Sequence, residues 1–356
     1  MIYYIFPYLY TLVFSLLLYF SNLKSIKVWH IFILLMPAVL IFFLRGNVGT
    51  DTYYYLALLD DYMRYGESAA RYEPGFEFLG KTLIYLDLSP RIALATIGLI
   101  TTLLLCKSFA ASKRQMLVMT LLVFPLYFFD FTMNGIRYGL SFSLAAISID
   151  KLYLKKYRSA TIWAVIAISM QYSAALVILP FIGALVKKRY IFIFISLIIL
   201  SYLASPALFS LFTDRISGKT DAYSEIFSPS LFSGLAPLLT TLVIYIVFLY
   251  FNKGNLSSKL IHVILVLEIF SFIMAKFTYA GLRFQGVFMF CMILYLKHNI
   301  DIISIGYIRK LIYILILLSI ASLMLFLKNI YVTVDGDMSP YLPYKFFWEE
   351  QRPYTL

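Results

Sequence analysis

Charged residues are scarce in this chain: they make up 13% of its 356 residues, whereas soluble proteins carry about 25%. Hydrophobic residues reach 62% and lie in blocks, many of them close to the roughly 20 residues that a helix needs to cross a bilayer. The blocks lack the period-two alternation of membrane β-strands. Because helices and closed barrels are the structures that span lipid, the composition predicts an all-α integral membrane protein.

Cysteine and histidine are also rare, which narrows the possible chemistry. Cys106 and Cys291 lie inside apolar blocks, too few for a disulfide framework and without ligand spacing. His30, His262 and His298 all fall near basic connections, so we expect no metal site and no cofactor. The chain also lacks a G-x-x-x-x-G-K-[ST] loop and a soluble domain for ATP, which argues against an ATP-driven pump.

The block lengths predict about twelve transmembrane or re-entrant helices in a single polytopic domain, residues 1–356. The candidate spans are 2–20, 28–44, 90–106, 115–130, 136–150, 159–171, 173–186, 190–213, 231–251, 259–275, 284–297 and 305–327. Residues 159–186 provide about 42 Å of helix, short of the roughly 60 Å for two crossings. We therefore expect a re-entrant hairpin or two short helices there, with Gln171 and Tyr172 at the tip.

Charge asymmetry predicts the orientation. Alternate connections hold 17 Lys and Arg against two acids, Asp150 and Asp301, and the positive-inside rule places them in the cytoplasm. Both termini are then outside, as are the loops 45–89 and 214–230 and the tail 328–356, while Glu268 remains inside a span. The same rule explains the net charge of +12 without a nucleic-acid partner.

The loop 45–89 is the longest predicted segment on the outer side. Arg45 follows an apolar block directly, and Thr50 or Asp51 is placed to cap a helix. Residues 76–88 keep an apolar face typical of an interfacial helix. Aromatic residues make up 18% of the chain; interfacial belts explain many of them, and stacking against sugars could explain others. The simpler alternative is a capped interfacial helix with a solvated charged face.

A second polar segment, residues 130–138, joins the fourth and fifth spans. The spacing of Asn134, Arg137 and Ser141 predicts one shared helical face. An arginine at membrane depth is costly unless it faces a cavity or an anion. The alternative is an ion pair between Asp130 and Arg137.

A third segment, residues 276–285, carries Lys276, Arg283 and Gln285 at the predicted level of Arg45 and Arg137. Snorkelling of the two cations at the interface is the alternative. Guanidinium groups match phosphate oxygens bidentately. We therefore expect the three segments to converge on one cavity for an anionic, lipid-linked substrate.

Four runs together resemble the EpsG-like, Wzy-type polysaccharide (O-antigen) polymerases. They are Leu44-Arg45-Gly46 with Gly49-Thr50-Asp51-Thr52 and Tyr55, Glu73-Pro74-Gly75-Phe76, Asn134 to Leu140, and Arg283 with its following aromatic helix. The resemblance covers roughly residues 40–290. Members of this family often carry a histidine where this chain has Gln171, so Gln171 is expected to bind or orient rather than act as a base.

The resemblance implies a GT-C-like helical bundle in the bacterial inner membrane. Its activity would join oligosaccharide repeat units, carried on undecaprenyl diphosphate in the lipid bilayer, into O-antigen or a related surface polysaccharide. Other polysaccharide-assembly proteins, including a chain-length regulator, are the implied partners. The implied catalytic residues are Asp51, Glu73, Arg137 and Arg283. The implied substrate-binding residues are Arg45, Thr50, Tyr54, Tyr55, Asn134, Gln171, Tyr172, Lys276 and Gln285.

Two other functions remain open from the residues alone. A flippase or exporter of lipid-linked oligosaccharide would also need a cationic cavity, but one reached from both sides in turn. An O-antigen ligase shares the polymerase chemistry and differs in its acceptor. A membrane O-acyltransferase is less favoured, because no histidine lies at a suitable depth.

Overall fold

The computed structural model describes residues 1–68, 72–186, 233–251, 259–331 and 341–349. Within these ranges the chain is helical, with a single isolated β-bridge between Arg45 and Phe346. The predicted span 190–213, the loop 214–230, and residues 332–340 and 350–356 of the tail lie outside the described residues.

The helices follow the apolar blocks closely, and α1 and α2 have the predicted bounds. The α-helices are α1 (Ile2–Phe20), α2 (Val28–Leu44), α3 (Thr52–Tyr65), α4 (Pro74–Tyr85), α5 (Pro90–Phe109), α6 (Lys113–Val118), α7 (Ile136–Tyr153), α8 (Tyr157–Met170), α9 (Ala174–Leu185), α10 (Leu235–Phe251), α11 (Lys259–Met274), α12 (Tyr279–Asn299) and α13 (Ile305–Tyr331). The loop 45–89 contains two helices: α3 begins directly after the predicted cap Asp51, and α4 overlaps the predicted interfacial helix 76–88.

Four helices of the described part are long and apolar enough to cross a membrane: Ile2–Phe20, Pro90–Phe109, Tyr279–Ile302 and Gly306–Ile330. Three shorter apolar helices are Val28–Leu44, Ala174–Leu185 and Leu235–Phe251. The chain is thus a helical membrane protein, while twelve crossings and a GT-C architecture stay predictions. Two short helices, α8 and α9, separated by Gln171, Tyr172 and Ser173, lie in this part of the chain as expected, while a re-entrant hairpin stays a prediction.

The chain divides into two compact units, which are described separately. The first contains residues 1–175 and 297–356, and the second contains residues 176–296. In the first unit, α7 packs against α5 and α8, α2 packs against α1 and α5, and α13 packs against residues 119–128. Small residues line α7, which allows close approach as in other membrane helices. Ser148 of α7, for example, donates a hydrogen bond to the Ala160 carbonyl of α8 at 2.8 Å.

The predicted fourth span has an unusual backbone. After α6 the chain forms π-helix over Met119–Phe128 and again over Asp130–Asn134. The helix then breaks at Gly135, whose φ and ψ are −73° and 55°, and α7 begins at Ile136. The expectation that Asn134, Arg137 and Ser141 share one helical face is therefore wrong, because Asn134 belongs to the preceding element. Such π-helical segments are rare and often lie at functional sites.

Basic residues of one predicted cytoplasmic connection cap helix ends in the first unit. Lys113 Nζ donates to the carbonyls of Tyr19 and Ser21 at the end of α1, at 3.3 and 2.5 Å. Arg114 Nη1 donates to the Ile303 carbonyl at 2.7 Å. Cations stabilise the carbonyl ends of helices, so these residues hold one end of the unit together.

At the other end of α1 and α2, residues 341–349 form a C-terminal strap. The Gly46 N–H donates to the Lys345 carbonyl at 2.8 Å, beside the bridge between Arg45 and Phe346. Tyr344 OH donates to the Ile41 carbonyl at 2.7 Å. The strap thereby covers the point where α2 ends and the polar segment begins.

Candidate functional site

Arg45 joins the first two predicted segments from a buried position. It lies just beyond α2 with 4% of its surface exposed, and its Nη1 donates to the Thr132 carbonyl at 2.7 Å. Its own carbonyl accepts a hydrogen bond from Arg91 Nη1 at 2.6 Å. Burial lowers the pKa of the Arg45 guanidinium to about 10, which keeps it protonated at neutral pH.

Arg91 is a residue that the sequence interpretation missed. It follows Pro90 at the start of α5 and stacks over Phe347 of the strap, 5.6 Å from the ring centroid. The signal that singled out Arg45, an arginine next to an apolar block on the predicted outer side, applies equally to Arg91.

The turn between Arg45 and α3 is docked tightly on the end of the π-helix. The exposed Thr50 donates its backbone N–H to Asn134 Oδ1 at 3.0 Å, and Thr52 Oγ1 donates to the Met133 carbonyl at 3.1 Å. Gly49 has a φ of +109°, and a Cβ there would lie 2.8 Å from Asn134 Oδ1. Glycine is therefore required both by the backbone conformation and by the contact. The first two predicted segments do come together.

Arg137 lies in a cage of aromatic rings and pairs with a carboxylate. Its guanidinium forms an ion pair with Glu73, and its Cζ is 4.3 Å from the Tyr72 ring centroid and 5.9 Å from that of Phe76. Its Nε is 3.5 Å from Tyr55 OH. The Glu73 side chain is 3% exposed and that of Arg137 is 21% exposed. This arginine cage, formed by Arg137, Glu73, Tyr55, Tyr72 and Phe76, is thus open on the arginine side.

Burial keeps the two tyrosines of the cage neutral. Burial raises the pKa of Tyr55 and of Tyr72, against the opposing effect of the Arg137 charge. Both phenols therefore remain hydrogen-bond donors at neutral pH.

Asp51 interacts electrostatically with both tyrosines. It is half-buried at the N-cap of α3, and its side chain makes no capping hydrogen bond. The turn thus carries a partly exposed carboxylate, and the cage contains a partly exposed guanidinium.

The predicted hairpin tip lies next to the start of α4. Gly75 of α4 is in close contact with Ser169 near the end of α8, two residues before Gln171. The Gln171 Oε1 is buried and has no hydrogen-bond partner among the described residues. Tyr172 is half-buried, whereas Tyr54 of α3 is 65% exposed. An unpaired buried amide oxygen is costly, so Gln171 Oε1 is suited to accept a hydrogen bond from a ligand hydroxyl.

The third predicted segment belongs to the second unit. Lys276 Nζ donates to the Ser233 carbonyl at 2.7 Å. Gln285 Nε2 donates to the Gly234 carbonyl at 2.9 Å and to Glu268 Oε1 at 3.1 Å. These contacts hold the start of α10.

Arg283, in contrast, has an exposed side chain in the first turns of α12, with its Cζ 5.7 Å from the Tyr279 ring centroid. Because this segment lies in a different unit from the arginine cage, its convergence with the other two stays a prediction. Within the described residues, no group of three or more His, Cys, Asp or Glu is arranged to hold a metal ion.

Comparison with known proteins gives one clear result. No curated protein and no solved structure matches the chain. The family model described as the EpsG family matches residues 28–346, a range that contains the arginine cage, the Gly49 turn and the third segment. The resemblance seen in the sequence is therefore confirmed over most of the chain: this polysaccharide polymerase-like membrane protein belongs to the EpsG family.

Proposed function

We propose that the protein is a glycosyltransferase that polymerises undecaprenyl-diphosphate-linked repeat units into O-antigen or a related polysaccharide. It would act on the extracytoplasmic face of the bacterial inner membrane. The arginine cage carries this proposal, because its guanidinium is partly exposed. The turn that is docked on residues 130–134 adds a partly exposed carboxylate, Asp51. Guanidinium groups recognise phosphate oxygens bidentately, and a carboxylate can take a proton from an attacking hydroxyl.

In the proposed reaction, a sugar hydroxyl of one unit attacks the anomeric carbon of the growing chain. A new glycosidic C–O bond forms, and the bond between that carbon and the diphosphate breaks, so that both its electrons leave with the lipid diphosphate. Asp51 receives the hydroxyl proton. Arg137 stabilises the negative charge that develops on the leaving diphosphate, the kind of stabilisation that often dominates catalysis.

Burial divides the remaining predicted residues into two roles. Glu73 is almost fully buried against Arg137, so we assign it to positioning the guanidinium and give the base role to Asp51. Arg45 is buried on the Thr132 carbonyl, and we assign it to holding the turn that carries Asp51.

The other predicted residues are left for the sugars and for a further phosphate contact. Gln171, Tyr172 and Tyr54 are our candidates for sugar binding, because the first has an unused acceptor and the last an exposed ring. Arg283 remains a candidate phosphate-binding residue because its side chain is exposed. Lys276 and Gln285 have backbone partners at the start of α10, which favours a supporting role.

The test is the glycan ladder of cells that lack the protein. We expect single repeat units on the acceptor and a loss of long chains. Lipid-linked units trapped in the cytoplasmic leaflet would favour the flippase, and long chains retained on the lipid carrier would favour the ligase. Complementation with Arg137→Ala should not restore long chains. The matched control Arg64→Ala removes an exposed arginine paired with Asp60 at 2.8 Å and should restore them, since exposed pairs contribute little.

A further inference from the structure

An apolar groove runs between α1 and α2 in the first unit. Its volume is about 570 Å³, within the roughly 300–1,000 Å³ of small-molecule sites. Phe6 and Tyr10 of α1, Met36 and Leu40 of α2 and Phe346 of the C-terminal strap are among the side chains that line it. Phe6 is 59% exposed, Met36 41% and Leu40 45%, so the α1–α2 groove is open along its side, where we expect lipid.

The groove has the depth of one leaflet. On α2 its lining runs from Ile33 to Leu44, which at 1.5 Å per residue is about 16 Å. The hydrocarbon core of a bilayer is about 30 Å thick. Its upper end, at Ile2 and Leu44, lies where α1 begins and α2 ends, which is the extracytoplasmic side in the predicted orientation.

The upper end of the groove is cationic. Leu44 is followed directly by Arg45, and Phe346, which lines the groove, is bridged to Arg45. Arg91 donates to the Arg45 carbonyl at 2.6 Å, and the exposed Lys345 precedes Phe346. The one nearby acid is Glu349 among the described strap residues, and its carboxylate accepts the Phe346 N–H at 2.8 Å. Because the Arg45 guanidinium is buried on the Thr132 carbonyl, Arg91 and Lys345 are the cations left beside this end in the described part of the chain. An apolar channel of one-leaflet depth with two cations beside its head matches a ligand with an anionic head and a long apolar chain.

We propose that the α1–α2 groove binds the polyisoprenyl chain of the lipid-diphosphate substrate on entry, with the diphosphate directed toward Arg91 and Lys345 before it reaches Arg137 for the reaction. This inference rests on the proposed function and adds the place where the carrier lipid enters. Hydrocarbon leaving the bilayer gains little from the hydrophobic effect, since lipid is already apolar. The groove therefore acts through van der Waals fit and through alignment of the head group.

Chain-length dependence of the purified full-length protein tests the groove. The assay compares the KM of a repeat unit carried on a long polyprenyl diphosphate with that of one carried on a ten-carbon isoprenyl diphosphate, in nanodiscs. Leu40→Trp fills the groove. We expect the KM of the long-chain substrate to rise about tenfold, an effect within the usual range for overpacking. The KM of the short-chain substrate should change little. Val13→Trp is the matched control, because Val13 is 51% exposed on α1 and does not line the groove. The inference is overturned if Leu40→Trp keeps the wild-type ratio of the two KM values.

Photocrosslinking gives a second measurement that does not depend on folding of a variant or on turnover. A polyprenyl diphosphate with a diazirine in its chain should label peptides of α1 or α2 in the wild-type protein, and an excess of long-chain substrate should abolish the label. The inference is overturned if the probe labels only other helices. It is also overturned if α1 and α2 are labelled only by a diazirine phospholipid that polyprenyl diphosphate does not displace. If the lipid labels the groove but no glycan is polymerised, the proposed function fails while the groove assignment stands.

Discussion

The ion pair between Arg137 and Glu73 allows the catalytic role of the arginine to be separated from its structural role. Arg137→Met leaves a carboxylate that is 3% exposed without its charged partner. Breaking a buried pair in this way costs about 3–5 kcal/mol. Because 21% of the Arg137 side chain is exposed, water can reach the site, and we expect the lower end of that range, about 3 kcal/mol.

The double variant Arg137→Met/Glu73→Gln removes the stranded charge as well. It should recover most of the lost stability, since replacing both members of a buried pair is often nearly neutral. Polymerisation should not recover, because the guanidinium is still missing. Loss of one group that stabilises developing charge typically lowers kcat by about 10²–10³-fold.

The assay measures two quantities for the wild type and both variants: the midpoint of thermal unfolding in detergent, and the rate of glycan elongation in proteoliposomes. We expect a lowered midpoint and lost elongation in the single variant, and a restored midpoint with lost elongation in the double variant. If elongation returns together with stability in the double variant, Arg137 acts only through the fold and the phosphate assignment is refuted.

Three further variants test other parts of the account. Gly49→Ala should lower the unfolding free energy by about 1–3 kcal/mol through backbone strain and through its close contact with Asn134 Oδ1. The control Gly66→Ala has a φ of +76° and nothing within 4 Å, so it should show strain alone and a smaller loss. Asp51→Asn should lower the elongation rate at least about 10²-fold at an unchanged unfolding midpoint, because its side chain makes no capping hydrogen bond; a fully active variant would exclude it as the base. Glu268→Gln should keep or raise the unfolding midpoint. The variant keeps an acceptor for Gln285 and removes a buried carboxylate whose Oε2 has no partner among the described residues. A clear fall in the midpoint would show that the carboxylate itself is needed.

The sequence was sufficient for the helix pattern because that information is local. A run of apolar residues between polar connections defines α1 and α2 without reference to any other part of the chain. The π-helix before Gly135 was not predictable in this way. It has the same apolar composition as an α-helix, and its register is settled by packing against α13 and α7.

The candidate site was predictable as a set of segments but not as a geometry. The sequence indicates Arg137 and Glu73 separately, yet they are 64 residues apart, and their pairing depends on how α8 packs against both α4 and α7. The alternative for Arg137, an ion pair with Asp130, rests on the closeness of the two residues in the chain. Tyr72 and Phe76 were not recognised as cage residues for the same reason: the ring contacts with Arg137 are set by the tertiary fold.

The most direct test of the central claim is the product balance of the purified protein. Proteoliposomes that contain it are supplied with a lipid-diphosphate-linked repeat unit, and both glycosidic bonds and free lipid diphosphate are counted. The account predicts one lipid diphosphate released for each new glycosidic bond, with no release by Arg137→Ala. Movement of intact lipid-linked units across the bilayer without any release of lipid diphosphate would contradict it.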